Sequence, residues 1–432
     1  MANSSGKRFM RLAGMTASIA GKAAKNSLRH LSSDEEKRLQ ARSELMQDVG
    51  LQIAETLGEM KGAVMKVGQI ASQYKDVFPP EVAAALEKLQ KDAPPMPFGQ
   101  IKAQVERELG APLDTLFTDF EKTPFAAASI GQVHKATLPN GQKVVVKVQY
   151  PDVDANCESD LKQVRMALKI AGVLNMSRKL QEQLFDEIRQ SLRDELDYTK
   201  EAQNLKIFGA FHADDEGLII PKVISSHSCK RILTLSEEMG DSLNVAATWD
   251  NAVKQKIAER LFHFSAGQLF ELYRVHCDPH PGNFAFRPDG SVIAYDFGSI
   301  RSYSDDEVQL FRRFARHAIK GDVTALEQDL VALHIRREDD TDIPGTFYKE
   351  WLSIGLRPLS IEPYHSGTFD FASSQVHHEV ITQMRTSLKY FNQFQPSAVT
   401  MMLDRTVSGQ YWNLVNLGVK IDLSPLVARY ID

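Results

Sequence analysis

The segment HCDPHPGNFAFRPDGSVIAYDFGSI, residues 276–300, collects polar side chains in one loop and adds a second carboxylate after a short hairpin. Two kinds of site compete for this pattern. Its two histidines are candidate ligands of a transition metal. Asp278, Asn283 and Asp296 instead offer the hard oxygen atoms that suit Mg²⁺ and phosphate chemistry. The rest of the chain must decide between these two readings.

Length and composition bound the answer. The chain has 432 residues and a formal net charge of −5, which allows two lobes and argues against nucleic acid as a partner. Cys157, Cys229 and Cys277 are too far apart for a zinc ribbon or a disulfide framework. No apolar run has the roughly 18 residues that a membrane-spanning helix needs. The sequence therefore predicts a cytoplasmic protein, either free or peripheral on the inner face of a membrane.

The first 34 residues form a basic leader, which lacks an acidic residue before Asp34. Its positive charges alternate with apolar and small side chains, a pattern that fits a helix lying on an anionic membrane surface. A solvated leader without a partner fits equally well. The basic residues are Lys7, Arg8, Arg11, Lys22, Lys25 and Arg29.

Three further regions follow this leader. Residues 35–120 are predicted to be helical and contain the motif KVGQ. Residues 121–238 read as strands and turns followed by helices, and residues 239–432 as mostly helical. A small β-rich lobe beside a larger helical lobe predicts a ligand cleft between the two.

Lys147 lies in the apolar strand VVVKVQ, where an unpaired ammonium group would be costly to bury. It therefore needs an anionic partner. The segment RDELDYTKEAQN offers Glu195 and Asp197 on a predicted helix, with Glu201 about one turn beyond. We assign the ion pair to Glu195 and Asp197.

A strand lysine, a helix glutamate, an Asp-x4-Asn loop and an Asp-Phe-Gly triplet occur here in the order found in kinases. Each part has its own chemical role. Lys147 neutralises phosphate charge, Asn283 and Asp296 hold Mg²⁺, and Asp278 accepts or orients the attacking hydroxyl. Iron or zinc at the two histidines is the weaker alternative, because no third ligand accompanies them. His276 is then expected to brace the loop, and Cys277 to serve in packing.

Taken together, these motifs resemble the UbiB/AarF/ADCK family of atypical protein-kinase-like proteins. The resemblance spans roughly residues 35–310. It implies an α+β, two-lobed protein-kinase-like fold with a small β-rich N-lobe, a helical C-lobe and an N-terminal helical extension. The segments that carry it are KVGQ (66–69), AAASIGQVHKA (126–136), VVVKVQYP (144–151), DELDYTKEAQN (194–204), CDPHPGNF (277–284) and YDFGSI (295–300).

The resemblance also implies roles for individual residues. Lys66, Gly68 and Gln69 would form the K-x-G-Q motif of the extension, facing Glu195, Asp197 or both. Nucleotide binding falls to a further set, which consists of Ala126, Ala127, Ala128, Ser129, Ile130, Gly131, Gln132, Val133, Lys147, Glu238 and Met239.

Three departures separate the chain from an ordinary protein kinase. Ala126 to Ser129 occupy the place of a glycine-rich phosphate loop, so that a stiffer turn is expected. Cys277 replaces the arginine of a His-Arg-Asp motif. No Ala-Pro-Glu follows Asp-Phe-Gly, and a helix is expected soon after residue 300, which leaves little surface for a peptide substrate.

Three functions are consistent with this sequence. The first is a kinase-like ATPase that uses ATP and Mg²⁺ to act on lipid or quinone intermediates, or on quinone-biosynthesis proteins, at a membrane. The resemblance links it to isoprenoid-quinone (ubiquinone) biosynthesis or membrane lipid homeostasis. The second is a small-molecule or lipid phosphotransferase, and the third is a non-catalytic nucleotide-binding scaffold.

Overall fold

The structure is a computed structural model of the chain. Clustering of the chain by proximity gives two compact units, each described by itself below: Met1–Ala202 with Val223–Glu237, and Gln203–Lys222 with Glu238–Asp432. The residues described are 10, 14–15, 17–22, 43–52, 95–128, 130–151, 153–170, 178–338, 342–395, 397 and 399–431.

The described helices include two stretches near the N-terminus, residues 17–22 and 43–52, followed by the labelled helices. These are α1 (Phe98–Leu109), α2 (Leu113–Leu116), α3 (Val153–Ile170), α4 (Arg178–Glu195), α5 (Tyr198–Phe211), α6 (Leu243–Ala246), α7 (Asn251–Gly267), α8 (Asp305–Lys320), α9 (Val323–Ala332), α10 (Gly345–Gly355), α11 (Val376–Thr386), α12 (Met401–Leu417) and α13 (Ser424–Ile431).

The described strands are short. They are β1 (Asp119–Phe120), β2 (Ala126–Ala128), β3 (Gly131–Thr137), β4 (Lys143–Gln149), β5 (Leu218–Ile219), β6 (Ile232–Ser236), β7 (Arg274–His276), β8 (Phe284–Phe286), β9 (Val292–Ala294), β10 (Ile300–Ser302), β11 (Phe369–Asp370) and β12 (Lys420–Ile421).

The first unit is built around an antiparallel sheet in the order β1-β3-β4-β6, with β2 paired to β3. Its central strand β4 shows why this sequence forms a sheet. Val144, Val146 and Val148 alternate along the strand and are completely buried, which places Lys147 on the opposite face. The register sets Lys147 against Val133 on one side and Leu233 on the other.

The hairpin between β3 and β4 turns at Pro139-Asn140-Gly141, as predicted. Gly141 has φ = +85°, a conformation that glycine adopts without the steric penalty of a side chain. Its amide donates to the Leu138 carbonyl at 2.9 Å and closes the turn.

The alanines predicted as a phosphate-loop turn lie instead in strand β2. Ala126, Ala127 and Ala128 pair with Val133, Gln132 and Gly131 in antiparallel register. Cross-strand pairing outweighs the low intrinsic strand preference of alanine here. Strand β3 begins at Gly131, and Ser129 lies outside the described residues.

The basic leader contributes to the core of the first unit. Met15 and Ile19 are buried in the same apolar cluster as Met46 and Val49. Lys22 also pairs with Asp48 at 3.2 Å. These two apolar side chains of the leader therefore pack inside the protein, whereas contact of its charges with lipid remains a proposal.

The second unit is mainly helical and carries small sheets. Strand β9 lies between β5, to which it is parallel, and β8, to which it is antiparallel. Strand β7 pairs with β10, so that His276 lies opposite Ile300. These two ladders position both ends of the 276–300 segment.

A helix begins soon after the Asp-Phe-Gly triplet, as predicted. Ser304 is the N-cap of α8, and its hydroxyl accepts from the Glu307 amide at 3.3 Å. Glu307 accepts in return from the Ser304 amide at 2.7 Å, which completes a capping box. Gly321, at φ = +65°, ends the helix.

The architecture confirms the predicted α+β fold with a small β-rich part and a larger helical part. Within the residues described, no helix has the length and apolar character required to cross a bilayer. Lys66, Gly68 and Gln69 lie outside the described residues, and their predicted contacts remain predictions.

Candidate functional site

Lys147 is held by a glutamate. Its Nζ lies 2.8 Å from Glu201 Oε1 and 3.0 Å from Oε2, so that both carboxylate oxygens accept from one ammonium group. The lysine side chain is 13% exposed and the glutamate 5%. The Tyr198 ring lies 5.3 Å from the same Nζ and adds a cation–π contact. The charge is therefore compensated where it is buried.

Assignment of this ion pair to Glu195 and Asp197 was wrong. The predicted continuous helix breaks between α4 and α5, which leaves Asp197 outside both helices. Asp197 Oδ1 instead accepts from the Thr199 amide at 3.0 Å and its hydroxyl at 2.5 Å, at the start of α5. Glu201 then lies one turn into α5. The predicted role of Glu195 and Asp197 opposite the K-x-G-Q motif stays a prediction.

The predicted nucleotide-binding strand is partly committed to internal contacts. Gln132 is 1% exposed, accepts from the Met96 amide at 2.9 Å, and lies 2.9 Å from His134 Nε2. Ile130 is 1% exposed. The side chains of these two residues are thus structural, and any contact with nucleotide would fall to their backbone.

Gly131 permits a close approach of backbones. A Cβ atom at this position would lie 2.3 Å from the Val148 carbonyl oxygen. Only glycine leaves room for β3 to approach β4 at this point, the first residue of β3. Its conformational role is therefore explained by the sheet itself.

Asp278 and Asn283 are hydrogen-bonded to each other. Asn283 Nδ2 donates to Asp278 Oδ2 at 2.9 Å and to its backbone oxygen at 3.1 Å. A short 3₁₀ turn, Pro281–Asn283, brings the amide back over the aspartate. Arg405 Nη2 donates to the other oxygen, Asp278 Oδ1, at 3.0 Å. The carboxylate is therefore fixed from both sides.

His276 braces the loop, in agreement with the prediction. Burial lowers the pKa of its imidazole below the ordinary value, so that the ring is neutral near pH 7. Its Nε2 then donates to the backbone oxygen of Asp296. This bond connects the two aspartate-bearing parts of the segment.

The two histidines do not form a metal site with other ligands. His276 is 2% exposed and tied to Asp296, and His280 Nδ1 accepts from the Gly282 amide at 3.0 Å. Among the residues that the structure describes, there is no group of three or more His, Cys, Asp and Glu side chains placed to hold a metal ion. Cys277 is buried in an apolar cluster, and burial raises its pKa to about 11. It therefore serves in packing.

The residues predicted to bind Mg²⁺ fit a hard cation. Because Asn283 donates through Nδ2, its Oδ1 is the oxygen available for ligation, and no described residue donates to it. Asp296 Oδ1 accepts from the Gly298 amide at 2.9 Å, which orients the half-buried carboxylate. A carboxylate and an amide oxygen are the donors that Mg²⁺ prefers.

Glu238 and Met239, predicted to contact the nucleotide, lie just after β6. Arg287 fastens both, because its Nη2 lies 2.9 Å from Glu238 Oε2 and its Nε 2.9 Å from the Met239 carbonyl oxygen. The Tyr295 hydroxyl donates to the Glu238 carbonyl oxygen at 2.8 Å. Both backbone oxygens therefore already accept hydrogen bonds within the second unit.

Sequence reasoning missed two arginines of the site. Arg287 follows β8 and carried no pattern that set it apart from a solvated residue. Arg405 did leave a signal in DRTVSGQYWN, where Arg405, Gly409 and Asn413 recur at every fourth position. Such spacing places a charged, a minimal and an amide side chain on one helix face.

Comparison with known protein families is consistent with this site. The model of the ABC1 atypical kinase-like domain matches residues 88–330, which is more than half of the chain. The matched region contains Lys147, Glu201, Asp278, Asn283 and Asp296. It ends before α12.

Curated relatives and a solved structure extend the comparison. The chain is 28% identical over 380 residues to "Atypical kinase COQ8, mitochondrial" of Saccharomyces cerevisiae, covering 87% of this chain and 74% of that protein. It is 34% identical over 269 residues to "Protein Activity of BC1 complex kinase 7, chloroplastic" of Arabidopsis thaliana, covering 60% of this chain and 37% of the other. A solved complex of Rv3197 with erythromycin from Mycobacterium tuberculosis superposes with a TM-score of 0.62 at 25% identity, covering 91% of this chain and 98% of that one.

Proposed function

The chain belongs to the ABC1 family of atypical kinase-like proteins, and we propose that it is an ATPase that binds Mg-ATP and cleaves its terminal phosphate. The observation that carries the proposal is the loop in which Asn283 and Arg405 fix the Asp278 carboxylate. An aspartate held in this way can orient or deprotonate an attacking water or hydroxyl. The proposal also includes the interlobe cleft predicted from the sequence as the place where nucleotide binds.

The lysine of β4 has the complementary role. Lys147 supplies a positive charge for phosphate oxygens, and Glu201 holds its Nζ in place. We propose that this pair and the Asp278 loop act on the same nucleotide. The alanine strand and the residues after β6 are proposed to line the remainder of its site.

Asn283 Oδ1 and the Asp296 carboxylate are the proposed Mg²⁺ ligands. When bound, the cation would neutralise charge on the phosphate oxygens. Asn283 would then have two roles, because its Nδ2 holds Asp278 while its Oδ1 faces the cation. Asp296 is oriented for the same purpose by the Gly298 amide.

We further propose that turnover serves isoprenoid-quinone biosynthesis or lipid homeostasis at a membrane. The support is the family resemblance and the similarity to the yeast COQ8 kinase. The partners proposed are an anionic membrane surface, lipid or quinone intermediates, and quinone-biosynthesis proteins. A cytoplasmic or peripheral location accords with this role.

The test is release of phosphate from Mg-ATP by the full chain. It would be measured alone, with anionic or neutral vesicles, and with candidate acceptors that include an isoprenoid quinone precursor. Erythromycin belongs among the acceptors because the related mycobacterial structure contains it. Release without an acceptor supports the ATPase, whereas strictly acceptor-dependent transfer supports the phosphotransferase.

Matched variants decide whether the activity belongs to this site. Asp278→Asn keeps the shape of the side chain and should abolish release. Asp289→Asn alters an exposed aspartate of the β8–β9 turn and should leave release unchanged. Nucleotide binding without release in the wild-type protein under every condition would favour the scaffold and overturn the proposed activity.

A further inference from the structure

Helix α12 lies well beyond the family-matched region, yet one of its faces packs against residues 276–284, which contain Asp278. We call this segment the catalytic loop. Arg405, Gly409 and Asn413 are spaced by four residues, so that they lie one above another on the same side of the helix. Each of them contacts residue 278 or 279. The helix therefore meets the loop along three successive turns.

The first and third of these turns, which carry Arg405 and Asn413, make polar contacts with the loop. Arg405 Nη2 lies 3.0 Å from Asp278 Oδ1, and Asn413 Nδ2 donates to the Pro279 carbonyl oxygen at 2.9 Å. Asn413 is 2% exposed. A buried amide that donates to a backbone oxygen fixes the path of the loop immediately after Asp278.

The middle turn is a close steric contact. A Cβ atom built on Gly409 would lie 2.1 Å from Cγ of Pro279. The absence of a side chain at this position is what lets the helix approach the proline ring. Arg405, Gly409 and Asn413 thus lie opposite the Asp278 carboxylate, the Pro279 ring and the Pro279 carbonyl group, respectively.

The Arg405–Asp278 contact is an ion pair that also orients the carboxylate. The Asp278 and Arg405 side chains are 10% and 20% exposed, so their attraction is weakly screened by water. Arg405 takes Oδ1 while Asn283 takes Oδ2, which together define the plane of the carboxylate. Loss of the arginine would remove the contact that holds Oδ1.

We propose that the Arg405–Gly409–Asn413 face of α12 positions the catalytic loop, and that Arg405 sets the orientation of Asp278 toward the attacking group. Arg405 is a positioning residue in this scheme, since it acts through Asp278. The inference rests on the proposed ATPase function for its kinetic part. Its structural part stands on the contacts above.

The structural part is tested by hydrogen exchange of the nucleotide-free full chain. The amides of Cys277 and Asn283 are bonded to the Ser299 and His280 carbonyl oxygens, both at 2.9 Å, and report on the order of the loop. Arg405→Met should accelerate exchange in peptides covering 276–284 several-fold, and Arg405→Lys should do so less. Arg385→Met, at an exposed arginine of α11, should change nothing. Unchanged exchange in Arg405→Met would overturn the proposal.

Gly409→Ala provides a second variant, which remains informative if Arg405→Met does not fold. Alanine is ordinarily favoured over glycine inside a helix, so an unconstrained site would tolerate it. We expect faster exchange of the loop instead. Gly355→Ala, at a helical position with open space around it, is the matched control. Equal behaviour of the two variants would contradict a positioning contact.

The kinetic part is tested by the division of the effect between kcat and KM. Misorientation of Asp278 in Arg405→Met should lower kcat about 10- to 100-fold while KM for Mg-ATP changes little. Arg405→Lys should restore part of the rate. An unchanged kcat in Arg405→Met, or a loss confined to KM, would overturn the role assigned to Arg405.

The proposed function and the positioning role of α12 can be refuted independently. A wild-type protein without phosphate release would refute the proposed function, whereas the exchange experiment would still decide whether α12 positions the loop. A normal wild-type rate with no response to Arg405→Met would refute the positioning role and leave the ATPase intact.

Discussion

Glu201 Oε1 lies 2.8 Å from Lys147 Nζ, so the strand lysine is paired with a residue of α5 and not with the last residue of α4. The break between these helices decides which carboxylate reaches the strand. Because the side chains are 5% and 13% exposed, the pair makes its full set of contacts away from bulk water.

Glu201→Gln should destabilise the first unit by about 3 kcal/mol, because it removes the carboxylate charge that the buried Lys147 ammonium contacts. Lys147→Met with Glu201→Leu should regain most of that loss, since neither side chain then carries a charge. Both variants should lose nucleotide binding. Urea unfolding and nucleotide-induced thermal shifts are the measurements.

Glu237→Gln is the control for this pair. Glu237 holds Lys135 at 2.9 Å in a more exposed position, so its loss should cost less than about 1 kcal/mol. If the double variant were as unstable as Glu201→Gln, lost packing rather than an unpaired charge would explain the effect.

Asp296→Asn should abolish the Mg²⁺-dependent thermal shift produced by ATP. Asparagine keeps an oxygen acceptor for the Gly298 amide, so the apo melting temperature should stay nearly unchanged. The removal of one negative charge weakens cation binding without a change of shape. A full nucleotide-induced shift in this variant would show that the cation is held elsewhere.

Gly131→Ala should destabilise the protein by about 1–3 kcal/mol, because the new methyl group would overlap the Val148 carbonyl oxygen. Gly99→Ala is the matched control, since open space surrounds that position in α1 and the change should stay within about 1 kcal/mol. Denaturant midpoints give both values. Equal effects would mean that the approach of β3 to β4 is looser than described.

Acidification should lower the free energy of unfolding, because His212 binds a proton more readily in the unfolded chain. Burial against Phe264 lowers the pKa of His212 from 6.5 to about 4, so the unfolded chain takes up a proton more readily than the folded one. The stability that this histidine contributes is complete above pH 6.5 and is lost as the pH falls toward 4.

His212→Phe keeps the ring and removes the proton-binding group. Between pH 7.5 and pH 5, the wild-type protein should lose on the order of 1–2 kcal/mol more than this variant. Urea unfolding at the two pH values measures the difference. His378→Phe, at an exposed histidine, should leave the pH dependence as it is in the wild-type protein. The same acid response in both variants would exclude His212 as its source.

Replacement of Lys7, Arg8 and Arg11 with glutamine should reduce sedimentation with anionic vesicles and leave neutral vesicles unaffected. Because Met15 and Ile19 are buried inside the first unit, the remaining attraction is electrostatic and should weaken with added salt. Binding that resists salt would point to a different, apolar contact.

Short-range patterns of the sequence predicted much of this structure. The strand that contains Lys147 and the Asn140-Gly141 turn each depend on a few neighbouring residues, and both predictions were confirmed. Asp278 and Asn283 lie together in one loop, whereas their catalytic and metal-binding roles stay predictions. The choice of Glu201 depended on a helix break that residue pattern alone did not show. Arg405 lies 127 positions from Asp278, so only the folded chain reveals that they meet.

The prediction of a turn in the alanine segment was wrong for a different reason. The turn was predicted at Ala126 to Ala128 because their side chains are small and they occupy the place of a glycine-rich loop, but the register of β2 on β3 is set by hydrogen bonds to another strand. Local preference and long-range pairing conflicted, and pairing prevailed. Gln132, which was predicted to bind nucleotide, lies in β3 with its side chain buried beside His134.

The capping box at Ser304 bears on how such a protein can be controlled. Many kinases keep an inactive state in a long segment that becomes ordered only after modification. Here the chain between Asp296 and α8 is tied at successive points: Gly298 to Asp296, Ser299 to Cys277, β10 to β7, and Tyr303 to Tyr273. Few residues between Asp296 and α8 are therefore left that a modification could order. A switch that works by ordering this segment would accordingly have few residues on which to act.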